Sequence, residues 1–135
     1  AKPQRKEVSP ETDHVAQQVV DAAYTVHVTL GPGLLESVYE TCLSHELAKR
    51  GLATARQVGL PVIYDGDRLE NALRLDLVVA DQVIVELKSV ETLLPVHAAQ
   101  MLTYLKLSGR CLGLLINFNV TVIKNGIKRV VLSPE

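Results

Sequence analysis

The chain has 135 residues, 47% of them hydrophobic, and a formal net charge of −1. That length and apolar share suit one domain with a buried core, and the near-neutral balance excludes a whole-surface attraction to nucleic acid. No run is long and apolar enough to span a bilayer. The start, "AKPQRKEVSPET", is basic with no apolar segment behind it, so it does not read as a secretory signal. Residues 1–8 are expected to form a flexible arm and 9–135 a single cytoplasmic domain. Cys42 and Cys111 lie in apolar segments without metal-ligand spacing and read as buried free thiols of a reducing compartment.

Ser9-Pro10 is an N-cap followed by a first-turn proline. Val15, Val19, Ala22, Ala23, Val26 and Leu30 then keep helical spacing until "GPG" at 31–33. A second helix is expected from near Leu34 to Gly51, with Lys49-Arg50 complementing its C-terminal dipole. Its expected core stripe is Leu35, Val38, Tyr39, Cys42, Leu43 and Leu47. Val58, Leu60, Val62 and Tyr64 alternate as a strand, and Pro61 assigns it to a sheet edge. "DGD" at 65–67 is a hairpin turn, followed by strands over about 69–79 and 83–89. "LPVHAAQMLTYLKLSG" reads as a helix with Ala98, Met101, Leu102 and Leu105 inward, closed by Gly109. "CLGLLINF" at 111–118 is a buried strand, and a second hairpin is expected around Asn125-Gly126. The order ααβββαββ implies an α/β architecture, a mixed β-sheet flanked by helices.

The stretch "RLDLVVADQVIVELKS", residues 74–89, carries charge inside two apolar strands. Alternate strand residues share a face. A three-residue loop, Ala80-Asp81-Gln82, sets Val79 opposite Val83 and Leu77 opposite Val85. The same register sets Leu75 opposite Leu87, making one face wholly apolar. On the other face it sets Asp76 opposite Glu86 and Arg74 opposite Lys88. A two-residue loop would mix both faces. Opposed residues have Cβ atoms about 4.5–5.5 Å apart, so two carboxylates there need a proton, a cation or a metal. Magnesium takes such oxygen ligands. Lys88 points to the same side, where it could hold an attacking water or offset negative charge. The pattern alone fits better a solvated face on which Asp76 pairs with Lys88 and Arg74 with Glu86, since short motifs match by chance.

Other residues bear on that choice. His97, Gln100 and Tyr104 stand at i, i+3 and i+7 on one helix, a polar stripe that could contact a ligand over the sheet. Glu36 sits in the first turn of the second helix and Glu40 one turn on; dipole complementarity is the plain alternative to a site role and accounts for Glu40. Arg56, Arg68, Arg74 and the tail "IKNGIKR" are the modest basic candidates for a nucleic-acid face.

"GLLESVY" at 33–39, "RLDLVV", "VIVELKS", "HAAQMLTYLKL" and "GLLINF" occur in this order. Together they resemble the GxxExxY proteins, a branch of the PD-(D/E)XK nuclease superfamily, over about residues 13–132. The resemblance implies a restriction-endonuclease-like core. It also implies metal-binding carboxylates at Asp76 and Glu86, a metal-shell carbonyl at Leu87, and a catalytic lysine at Lys88. Gln100 matches the helix glutamine of the Q-x-x-x-Y pattern, with Tyr104 its companion. Glu36 matches a helical glutamate that some branches add to the metal site. Tyr39, Arg74, His97 and Tyr104 are the expected substrate contacts. One departure is Leu75, which precedes Asp76 where the superfamily's name has proline.

Three functions follow. The favoured one is a nuclease using Mg²⁺ or Mn²⁺ on DNA, or less so RNA. The second is a catalytically silent module of the same fold that binds nucleic acid or a protein partner. The third is a self-associating structural protein, a homodimer extending its sheet through the strands after residue 111.

Overall fold

The computed structural model describes residues 8–133. The elements are α1 (Pro10–Leu30), α2 (Glu36–Lys49), β1 (Thr54–Tyr64), β2 (Asp67–Val79) and β3 (Val83–Lys88), then α3 (Pro95–Ser108), β4 (Leu112–Asn117), a 3₁₀ turn (Ile123–Gly126) and β5 (Ile127–Val131). The order is the expected ααβββαββ. Apart from Val8, which packs against the core, the arm expected over 1–8 lies outside the described residues. No helix among the described residues is long and apolar enough to cross a membrane.

Local signals start and stop these elements as the sequence implies. Ser9 Oγ accepts the Thr12 N–H at 3.1 Å and Pro10 opens α1. Gly109, left-handed at φ 72°, ends α3. Asp65 and Gly66, both at positive φ, turn β1 into β2 with Tyr64 opposite Asp67. Ala80 and Asp81, also at positive φ, turn β2 into β3, with the expected Val79–Val83 and Leu77–Val85 register.

The five strands lie in the order β1-β2-β3-β4-β5, parallel between β3 and β4 and antiparallel elsewhere. Parallel neighbours need a crossover, and α3 is that connection. Helices α1 and α2 cover one face through Val15, Val19, Ala23, Leu43 and Leu47 against Leu77, Val85 and Leu114. Helix α3 covers the other through Met101 and Leu105 against Val78, Ile84 and Leu115. Strand β1 is an edge, as Pro61 implied, and its register to β2 shifts between Leu60 and Val62.

Four expectations are corrected. Helix α2 begins at Glu36, so Leu35 becomes its N-cap residue and stays exposed along with Val38; the helical face is set one turn later than the apolar count suggested. Cys42 and Cys111 are half-buried, because each stands at the margin of the first core. The expected hairpin at Asn125-Gly126 is a 3₁₀ turn leading into β5, whose partner is β4. Finally, Leu75 does not share a face with Leu77. It packs with Val78 and Met101 beneath α3, while Leu77 lies beneath α1 and α2. The alternation breaks around Asp76, where the β2–β3 ladder ends.

Tyr39 is the largest side chain in the joint between α1 and α2. Its ring is fully buried and stacks on Phe118 at 4.3 Å and 8°. Its hydroxyl donates to the Gly31 carbonyl at 2.6 Å and accepts the Leu34 N–H at 3.1 Å. Tyr39→Phe keeps the stack and removes both bonds. It is expected to lower unfolding stability by about 1–3 kcal/mol, measured by urea denaturation; an unchanged midpoint would show that the hydroxyl contributes nothing.

Candidate metal centre

The β2–β3 ladder runs from Val79–Val83 to Leu77–Val85 and then stops. Beyond it, side chains take over the strand contacts. Glu86 Oε1 accepts the Asp76 N–H at 2.9 Å. Asp76 Oδ2 accepts the Leu87 N–H, also at 2.9 Å. Each carboxylate thus reaches across to its neighbour's main chain, which satisfies N–H groups that would otherwise lose a strand partner. Two acidic groups converge where the ladder ends.

Glu86 is 5% exposed. Its pKa is pushed up to about 8 from the ordinary 4.5, first by burial, then by the Asp76 carboxylate and a side-chain bond to Asp76. The Asp76 N–H and the Lys88 ammonium act in the opposite direction. Among the described residues neither carboxylate, nor Lys88, enters a salt bridge. The alternative of a solvated face with Asp76–Lys88 and Arg74–Glu86 ion pairs is therefore not what forms. A buried carboxylate beside a half-buried one, with no salt-bridge partner, is costly, and the oxygens of the two are hard donors of the type that hold Mg²⁺ or Mn²⁺.

Helix α3 contributes from the second face. Tyr104 is half-buried, and its pKa is raised by burial and then by the Glu86 and Asp76 carboxylates, opposed by a hydrogen bond with the Gln100 side chain. Tyr104 thus lies within electrostatic reach of the acidic pair, with exposed Gln100 one turn before it on α3. His97 is used differently: its Nδ1 accepts the Leu94 N–H at 2.9 Å, capping the first turn of α3. Arg74 is exposed on β2 opposite Gly59, beyond the end of the β2–β3 ladder, so the expected Arg74–Lys88 opposition does not form.

Two residues of the "GLLESVY" stretch are placed otherwise than expected. Tyr39 is fully buried, so the substrate contact expected of it is corrected to a packing role. Glu36 Oε1 accepts the Ser89 N–H at 3.2 Å, and among the described residues no third His, Cys, Asp or Glu joins the acidic pair.

Asn117 was missed in the sequence. It is 2% exposed at the end of β4, opposite Lys88. Its Oδ1 accepts the Val90 N–H at 3.1 Å and its Nδ2 donates to the Val90 carbonyl at 2.9 Å. An amide in the apolar run "GLLINF" was the available signal, since a buried polar side chain needs partners. Glu40 was read as dipole complementarity. It is buried and accepts from Arg56 Nε and Nη2 at 3.1 and 3.0 Å and from Gln57 at 2.5 Å, tying α2 to β1.

A model of the PD-(D/E)XK nuclease superfamily matches residues 13–130. The chain belongs to that superfamily. No curated protein and no solved structure matches it. As a PD-(D/E)XK chain it keeps the spacing of the name motif in Glu86-Leu87-Lys88, with Asp76 on the preceding strand and Leu75 in the proline position.

The raised Glu86 pKa has a sign for stability. In metal-free protein the folded state holds the Glu86 proton up to about 8, whereas the ordinary value is 4.5. Folding therefore binds a proton across that interval, and the contribution, full below 4.5, is lost as pH rises through about 8. Thermal unfolding in chelator from about pH 5 to about pH 9 is expected to show a falling Tm that Glu86→Gln flattens. Parallel pH profiles for the two proteins would contradict the assignment.

Proposed function

We propose that this protein is a divalent-metal-dependent nuclease that hydrolyses phosphodiester bonds in DNA, with RNA as the less favoured substrate. The observation that carries this reading is the pairing of half-buried Asp76 with buried Glu86, cross-tied through main-chain N–H groups and lacking a salt-bridge partner among the described residues. Superfamily membership supports it, as does the resemblance to the GxxExxY branch.

Asp76, Glu86 and the Leu87 carbonyl would hold Mg²⁺ or Mn²⁺. Such an ion, when bound, lowers the pKa of water and offsets charge on the phosphate. The chain's own residues do the rest. Lys88, close enough to lower the Glu86 pKa, donates to the attacking water and steadies negative charge developing on the phosphoryl oxygens. Gln100 and Tyr104 present hydrogen-bonding groups beside the pair and hold the scissile phosphate in line. Arg74, exposed on β2, is the nearest sequence neighbour of Asp76 with a free guanidinium to offer a flanking phosphate.

A second reading has its own support. Lys49, Arg50, Arg56, Arg68, Arg110 and Arg129 are all engaged in salt bridges within the chain. With six of the 14 basic residues so engaged, less positive charge is available to grip a duplex, which favours a module that binds without turnover.

A panel of single-stranded, duplex and branched DNAs with RNA, in Mg²⁺ and Mn²⁺, separates the two. Metal-dependent cleavage is expected, reduced about 10²-fold or more in Lys88→Ala through loss of a group stabilising transition-state charge. Calorimetry is expected to show Mn²⁺ binding to the wild type and none to Asp76→Ala. Metal binding without cleavage of any substrate would favour the silent module, and equal heats from both proteins would remove the metal site.

A further inference from the structure

The end of β3 is held from two sides. On one side stands the connection between α1 and α2. Gly31 and Gly33, at φ 73° and 95°, use left-handed backbone that other residues rarely adopt. They bring Leu34 and Glu36 over the end of β3. The Leu34 carbonyl accepts Ser89 Oγ–H at 2.8 Å, and Glu36 Oε1 accepts the Ser89 N–H at 3.2 Å. On the other side stands the end of β4. Phe118 N–H donates to the Lys88 carbonyl at 3.0 Å, and the Asn117 amide holds both main-chain groups of Val90.

Tyr39 joins the two sides. Its hydroxyl binds Gly31 and Leu34, and its ring lies on Phe118. The contacts close a circuit from Tyr39 to Phe118, Lys88, Ser89, Leu34 and back. Every named residue of the Gly33-x-x-Glu36-x-x-Tyr39 pattern takes part in it or bends the chain into it.

We propose that this pattern is a clasp on the main chain that carries Lys88, and that Glu36 is a positioning residue acting through Ser89 rather than a ligand to the ion. The inference rests on reading Asp76–Glu86 as the metal centre. Two observations carry it. Glu36 Oε1 holds the Ser89 N–H, and neither Glu36 nor any other third His, Cys, Asp or Glu side chain joins the acidic pair among the described residues. The two roles differ in what they require. A ligand needs the negative charge, whereas a clasp needs only an acceptor, which glutamine retains.

Glu36→Gln and Glu36→Ala therefore decide it, read by Ser89 amide exchange in metal-free protein and by Mn²⁺ affinity. Loss of one hydrogen bond to a charged acceptor is expected to speed Ser89 exchange roughly tenfold or more in E36A. E36Q is expected to restore protection and to bind Mn²⁺ within about threefold of wild type, a negligible free-energy change. Should E36A fail to fold, Tyr39→Phe, which frees Leu34 but keeps the stack, is expected to loosen the Ser89 amide in the same way. Unchanged Ser89 exchange in the folded variants would overturn the clasp. Loss of Mn²⁺ binding in E36Q to the extent seen in Asp76→Ala would make Glu36 a ligand and overturn the proposal equally. A wild type that binds no Mn²⁺ would remove the metal centre, and the exchange comparison would still decide the clasp.

Discussion

Two acidic side chains that would repel each other in water are held together where β2 leaves β3. The strands could have continued their main-chain ladder past Leu77–Val85. Instead the Asp76 and Glu86 carboxylates take the N–H groups of Asp76 and Leu87. That exchange satisfies both donors and brings the oxygens of two carboxylates together at the end of the ladder. Burial then makes the pair unstable as two bare anions, which is why Glu86 resists ionisation. A proton or a cation relieves the same repulsion, so the centre is built to prefer a positive partner.

The rest of the fold serves to keep that junction in one place. The parallel pairing of β3 with β4 needs a crossover, and α3 is that crossover; it brings Gln100 and Tyr104 to the pair as a consequence of topology. The opposite layer, α1 and α2, reaches the end of β3 through the glycine-bent connection at 31–33. Asn117 fastens the same segment from β4. Lys88 is thus flanked by fixed main chain on two sides. The role proposed for Lys88 requires its ammonium to be held to a fraction of an ångström, and rigid support of this sort is what such placement needs.

Much of this was legible in the residues, because turn chemistry and alternation are local. The three-residue Ala80-Asp81-Gln82 loop set the β2–β3 register, and that register led to the Asp76–Glu86 meeting. Pro61 placed β1 at an edge for the physical reason that it lacks a donor. What failed was also local in cause. Strict alternation assigned Leu75 to the face of Leu77, but the two pack in different clusters, on either side of the Asp76 whose carboxylate takes a main-chain N–H. Leu35 and Val38 fit a helical stripe, yet α2 starts too late for Leu35 and turns Val38 outward. The Asn125-Gly126 dipeptide is a turn signal, and a turn does form, but β4 had already supplied the partner for β5. Roles set by long-range contacts, those of Asn117, Glu40 and Tyr39, needed the folded chain.

The account's central claim is that Asp76 and Glu86 share one cation. A crystal soaked in Mn²⁺ and measured at the manganese edge tests it most directly. The account predicts an anomalous peak bonded to oxygens of both side chains. A featureless map at that position, with each carboxylate still engaged only with the Asp76 and Leu87 main-chain N–H groups, would contradict it.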